Sequence, residues 1–235
     1  MKPFKHLLPL LTLGLIIVNL TTFMLYVSDD VNRWMRFGNM ILFFLLFITP
    51  YYYNKKGLIV LILFLICDGL LIYYESAFVN ALIFITRSVS YLLLAVMVVQ
   101  RVRKLKTNLL QKLIFTFAVA LNIFLLYSLI EMVPSSKYYT FIDFLFYIYG
   151  ISVIVCVIIA VSYSNRYADK TSLFFLGAVL SLAFSDLTYF ISVYLKFSDF
   201  YLAVIVFNIL GIALVLQFLL VDKTKREVSN PELME

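Results

Sequence analysis

Four ionisable residues stand inside stretches otherwise apolar enough to cross a bilayer: Asp68, Arg87, Asp143 and Asp186. A charge near the middle of a membrane costs about 2.5–3.5 kcal/mol on insertion scales, so each one needs a reason to be there. Two carboxylates and a guanidinium together have chemical uses. A carboxylic acid in a low-dielectric pocket has its ionised form disfavoured and can donate a proton near neutral pH. A second carboxylate, kept ionised by Arg87, can orient or activate water. The competing reading is that Arg87 only neutralises an aspartate and the group ties helices together.

Depth arithmetic joins three of these charges. At 1.5 Å per residue, Asp68 lies roughly 10 Å from the end of its apolar run, and Arg87 and Asp186 each lie roughly 14 Å from theirs. In an alternating topology those ends share one side of the membrane, so the three occupy one layer. Asn208 and Asn122 fall at a similar depth, and Asp143 sits nearer the mouth. Tyr147, Tyr149 and Tyr189 lie within runs and are candidates to line the same cavity, whereas Tyr51, Tyr52, Tyr53, Tyr73, Tyr74, Tyr138 and Tyr139 cluster at run ends as interfacial belts do. Asp68 and Asp186 are therefore the candidate catalytic pair. Arg87, Asn208, Asn122, Tyr189 and Asp143 are the candidate substrate contacts.

Other chemistries lack their residues. The single histidine, His6, is near the N-terminus, and neither a His-Glu-x-x-His run nor a Gly-x-Ser-x-Gly elbow is present. The two cysteines, Cys67 and Cys156, are both in apolar runs. No Gly-rich phosphate loop occurs, and the last two runs contain no lysine for a Schiff base. The expectation is a site with no metal and no cofactor.

The elements that position these residues follow from composition. Of 235 residues, 64% are hydrophobic and only 14% charged, and the mean hydropathy is +1.02. A soluble domain is about half apolar and a quarter charged. Eight apolar runs can be drawn, at 7–27, 37–53, 57–74, 78–100, 109–133, 139–164, 172–195 and 200–221. The expected fold is all-α: one polytopic domain of eight transmembrane helices over 1–221, then a short charged tail over 222–235. The first run is about 21 residues long with no small-residue cleavage site after it, which reads as a retained helix.

Net charge is +6, but its placement matters more. Lys2, Lys5, Lys55, Lys56, the basic stretch 101–106, Lys112, Arg166, Lys170 and the stretch 223–226 gather on one face. Arg33, Arg36, Lys137 and Lys196 fall on the other. That asymmetry places both termini in the cytoplasm and makes the basic segments topology determinants that meet lipid headgroups, not nucleic acid. A composition rich in Ile, Phe, Lys and Tyr is that of an AT-rich bacterial genome, so the expected location is a bacterial inner membrane. Oligomeric state is left open by the sequence.

At the aspartate-bearing runs the chain resembles the YhhN-like lysoplasmalogenase family, eight-span membrane proteins. Gly177-Ala178-Val179-Leu180-Ser181-Leu182-Ala183-Phe184-Ser185-Asp186 resembles the family's Gly-Ala-x-Leu-Phe-x-x-Ser-Asp pattern, and Cys67-Asp68-Gly69-Leu70-Leu71 is similar to its Gly-Asp followed by apolar residues. Arg36-Phe37 stands where the family often has Lys-Pro. Ser88, three residues before Tyr91, stands where it usually has His. The resemblance implies hydrolysis of the vinyl ether bond of lysoplasmalogens to a fatty aldehyde and glycerophosphoethanolamine or glycerophosphocholine. The partners expected are a lysophospholipid substrate and membrane lipids. Asp68 and Asp186 would share the acid and cation-stabilising roles. A proton-coupled transporter and a non-catalytic lipid-binding protein are the alternatives.

Overall fold

A segment in lipid must satisfy its backbone N–H and C=O groups internally, and this chain does so with helices. The computed structural model describes residues 2–25, 29–51, 55–102 and 140–229, with Thr116, Ala120, Ile123 and Tyr127 as isolated helical positions. Its elements are α1 (Lys2–Leu25), α2 (Asp29–Tyr51), α3 (Lys55–Leu70) with a 3-10 turn (Leu71–Tyr73), α4 (Ala77–Val102), α5 (Thr140–Tyr167), α6 (Lys170–Tyr194), a 3-10 turn (Ser198–Phe200) and α7 (Tyr201–Ser229). No strand occurs among the described residues. Among the described residues, six segments are long and apolar enough to cross a membrane: Leu7–Leu25, Lys55–Tyr73, Ala77–Val102, Phe141–Tyr167, Lys170–Val193 and Ser198–Asp222. The run expected at 109–133, with Asn122, lies outside the described residues apart from the four isolated positions.

Two boundaries differ from expectation. The run expected to begin at residue 37 begins at Asp29, so Arg33 and Arg36 are not loop cations but buried helix residues. The cause is periodicity. Asn32, Arg36, Asn39, Met40 and Phe43 fall on one buried face of α2, while Trp34, Leu42 and Leu45 face outward. At the other end, α7 runs on past residue 222 to Ser229, and Asp222 is buried against Arg101 at 2.7 Å.

Neighbouring helices touch in a ring, α1 through α7 and back to α1, with α2 also against α7. Large apolar residues such as Leu10, Met24, Phe78 and Phe141 point outward, as lipid-facing positions require. Inside, Phe64 packs edge-on to Tyr91, and Phe175 packs against Phe218. Polar residues pin the register. The side-chain amides of Asn19 and Asn39 exchange hydrogen bonds at 3.1 and 2.9 Å between α1 and α2. Asp169 and Ser172 form a reciprocal capping box that starts α6. At the α4 C-terminus, Arg166 Nη1 donates to the Arg101 carbonyl at 2.6 Å, joining α5 to what we call the basic end. The opposite end, where α3 finishes and α4 begins, is the mouth end.

The tightest seam lies between α6 and α7. A Cβ added at Gly211 would sit 2.8 Å from Leu182 Cγ and 3.1 Å from its backbone nitrogen, so only glycine lets the two backbones come this close. Gly211→Ala is expected to lower the melting temperature of the detergent-purified protein, overpacking costing about 1–3 kcal/mol. Gly14→Ala, where an added methyl meets nothing within 4 Å, should leave it unchanged or raise it. An unchanged melting temperature for Gly211→Ala would contradict this close approach.

Candidate functional site

Asp68 on α3 is almost wholly buried, and it is held from two sides. Arg36 Nε of α2 donates to Asp68 Oδ1 at 2.9 Å. Arg87 Nη1 of α4 lies 3.6 Å from the same oxygen. Arg87 then reaches on to α6, where its Nη2 donates to Asp186 Oδ1 at 2.6 Å and its Nε to Oδ2 at 3.3 Å. This two-point grip is the arrangement a guanidinium makes best with a carboxylate. The Tyr91 hydroxyl, one turn beyond Arg87 on the same face of α4, donates to Asp186 Oδ2 at 2.5 Å. Tyr149 of α5 brings a second phenol to that carboxylate. Charges thus alternate along Arg36, Asp68, Arg87 and Asp186 across four helices, and a fifth closes the line with a neutral donor.

The two aspartates are not equivalent. A cavity opens among α2, α3, α4, α5 and α6 in the mouth-end half of the bundle. Asp186 lines it; Asp68 does not. Its polar walls are Arg36, Arg87, Asp186 and Tyr149, and its apolar walls include Phe84, Phe146 and Phe190. Asp68 lies behind the two guanidiniums, and its Oδ2 has no hydrogen-bond partner among the described residues. Cys67 also faces the cavity, its sulfur 4.0 Å from Arg87 Nη1. At the rim, the Arg33 guanidinium stacks on the Tyr74 ring at 3.9 Å and meets the exposed carboxylates of Asp30 and Glu75 at 3.3 and 3.4 Å.

Of the residues singled out from sequence, the structure brings Asp68, Arg87 and Asp186 into one contact network and places Tyr189 on the cavity wall, with the Arg36 guanidinium 5.6 Å from its ring. Asn208 is buried on α7, but it does not line the cavity, and its Nδ2 has no partner among the described residues. Asp143 is exposed in the first turn of α5, away from the cavity. Asn122 lies outside the described residues. Ser185 turns to α7, its hydroxyl donating to the Val204 carbonyl at 3.4 Å.

Sequence reasoning missed Arg36 and Tyr91. Both carried a signal. Arg36 falls on the Asn32–Arg36–Asn39 face, spaced by one helical turn each time, which a loop would have no reason to keep. Tyr91 stands four residues after Arg87, within reach of the same partner.

Among the described residues no group of three His, Cys, Asp or Glu side chains lies close enough to hold a metal. The network can do two things chemically. It presents one carboxylate with its counter-ion and two phenols to a largely apolar cavity, and it sets a guanidinium at the cavity's mouth side. No family model matches the chain, and neither a curated protein nor a solved structure is found similar to it.

Arg87 neutralises both aspartates, so removing it leaves buried carboxylates uncompensated. Arg87→Ala is expected to destabilise the detergent-purified protein by about 3–5 kcal/mol, read as a loss of its folded population on heating. Asp186→Asn, which keeps shape and leaves Arg87 beside Asp68 and the open cavity, should cost less than Arg87→Ala by the same measurement. A fully stable Arg87→Ala protein would contradict the network.

Proposed function

We propose that the chain is an eight-span protein of a bacterial inner membrane with both termini cytoplasmic, and that the Asp186 cavity hydrolyses the vinyl ether bond of lysoplasmalogens. The products are a fatty aldehyde and glycerophosphoethanolamine or glycerophosphocholine. The observation that carries this reading is the cavity itself. A single carboxylate, gripped by Arg87 and two phenols, faces a space walled by aromatic rings. Four of the five helices around it, α3, α4, α5 and α6, are apolar enough to cross a membrane, where such a substrate resides.

A vinyl ether is cleaved by protonating its β-carbon, which leaves an oxocarbenium ion. Asp186, ionised beside Arg87 in the lipid-free protein, takes up a proton from water as the lipid enters, passes it to the β-carbon and becomes again the carboxylate that Arg87, Tyr91 and Tyr149 are arranged to hold. The new negative charge then lies beside the new cation, in a low-dielectric space where the attraction is strong. Water adds to the α-carbon, and its surplus proton returns to Asp186. The resulting hemiacetal opens to the aldehyde and the free alcohol of the glycerophospho-base. One carboxylate thus acts first as acid and then as base. Asp68, out of reach of the cavity, acts through Arg87 and Arg36 as a positioning residue. The alkenyl chain lies against Phe84, Phe146 and Phe190.

A second reading has an observation in its favour. The four network charges compensate one another, which would suit a lipid-binding protein with no chemistry. Aldehyde release separates the two. Detergent-purified protein is offered a lysoplasmalogen, its ester analogue and its saturated-ether analogue, and products are read by mass spectrometry. Aldehyde is expected from the vinyl ether alone, and Asp186→Asn should lower turnover at least about 100-fold, the scale of general acid–base catalysis. Near wild-type turnover in Asp186→Asn would overturn the assignment of Asp186. No aldehyde from the wild-type protein would favour the binding protein.

A further inference from the structure

Arg36 is hydrogen-bonded through one atom only among the described residues. Its Nε donates to Asp68 Oδ1, and its two Nη groups have no hydrogen-bond partner among the described residues. The residue is 7% exposed, and it lines the cavity. Arg87, by contrast, spends Nε and Nη2 on Asp186 and turns Nη1 towards Asp68 and Cys67. The cavity therefore holds one guanidinium engaged through all three nitrogens and one with an open fork. A planar pair of guanidinium N–H groups facing a cavity matches two oxygens of a phosphate or carboxylate.

Position decides between those two anions. Along α2 from Asp29, Arg36 lies roughly 10 Å below the mouth-end helix terminus. Polar groups continue above it to the rim, with Asn80 and Tyr74 on the cavity wall and the Arg33–Tyr74 stack beyond. A fatty acid ends at its carboxylate and has no use for a polar wall beyond it. A phosphodiester continues into a headgroup, and this wall receives one. Asp186 is reached from Arg36 across Asp68 and Arg87, and the rings of Phe84, Phe146 and Phe190 line the same cavity.

We infer that Arg36 is the specificity-determining residue of the cavity, binding the phosphodiester of a single-chain phospholipid through its free Nη groups with the headgroup towards the mouth and the chain along the cavity's aromatic wall. This rests on the proposed lipid chemistry for the choice of ligand, but not on turnover. Asp68 then has a defined part: it fixes the Arg36 Nε edge so that the fork faces the cavity.

The test uses ligands that cannot be hydrolysed. Binding of a saturated alkyl-ether lysophosphatidylethanolamine to the full-length protein in detergent is compared with binding of the same alkyl chain on phosphate-free glycerol and on a carboxylate. Wild type should prefer the phospholipid over the alkylglycerol by about ten-fold or more, the scale of one charge-assisted hydrogen-bond pair. Because Arg36→Gln alone leaves Asp68 short of a partner, the informative variant is Arg36→Gln with Asp68→Asn, which removes both charges together. It should keep alkylglycerol binding and lose the preference, while Arg36→Lys should keep part of it. A preference that survives in the double variant overturns the inference, as does wild-type binding no tighter for the phospholipid than for alkylglycerol. Tighter binding of the carboxylate overturns the phosphate assignment. If phosphate selectivity is lost in the double variant although wild type releases no aldehyde, the hydrolase reading fails and this one stands.

Discussion

A charge taken out of water and away from lipid headgroups has to meet its opposite, and four such charges meet in one line here. Arg36, Asp68, Arg87 and Asp186 come from α2, α3, α4 and α6, and consecutive members approach within 2.6 to 3.6 Å. The relative depth of these helices follows from that line. Sliding any one of them by a turn, 5.4 Å, would break a contact and leave a buried charge alone. Apolar packing is far less particular about register, because one Leu or Phe in lipid-like surroundings replaces another at small cost. The glycine seam of α6 on α7 and the asparagine pair of α1 and α2 then hold the ends of an arrangement whose middle the charges have fixed.

The line is also polarised, which is where function enters. Its Asp68 segment is enclosed and its Asp186 end is open to the cavity. An enclosed ion pair stabilises or orients. A carboxylate with counter-ion, phenols and free space can exchange a proton. Sequence makes the two aspartates look like twins, each after a small residue in an apolar helix. Their surroundings divide the labour between them: Asp68 for holding two guanidiniums and Asp186 for meeting whatever enters.

Helical class and the conjunction of Asp68, Arg87 and Asp186 were legible because a charge in an apolar run is conspicuous and rise per residue converts position into depth. Contact with the cavity was not legible from depth. Asp143 shares a side of α5 with the cavity-lining Phe146 but stands one turn nearer the helix start, where it is exposed and outside the cavity wall. Asn208 has the right depth on a helix that does not line the cavity. Arg36 was hidden by a different effect. Counting cations by side assigns any arginine near the end of an apolar run to the loop, and α2 carries its polar face eight residues further than hydropathy marks it. Tyr149 and Tyr189 could be singled out because they stand within apolar runs, whereas Tyr91 was obscured by number among 17 tyrosines.

The central claim is that Asp186 is the carboxylate that changes protonation while Asp68 is a fixed counter-ion. Infrared difference spectroscopy on the detergent-purified protein addresses it directly, comparing spectra with and without a non-hydrolysable ether lysophospholipid. The account predicts a protonated-carboxyl band on lipid binding that disappears in Asp186→Asn and persists in Asp68→Asn. A band that disappears in Asp68→Asn and survives in Asp186→Asn, or no protonated carboxyl in the lipid-bound protein, would contradict it.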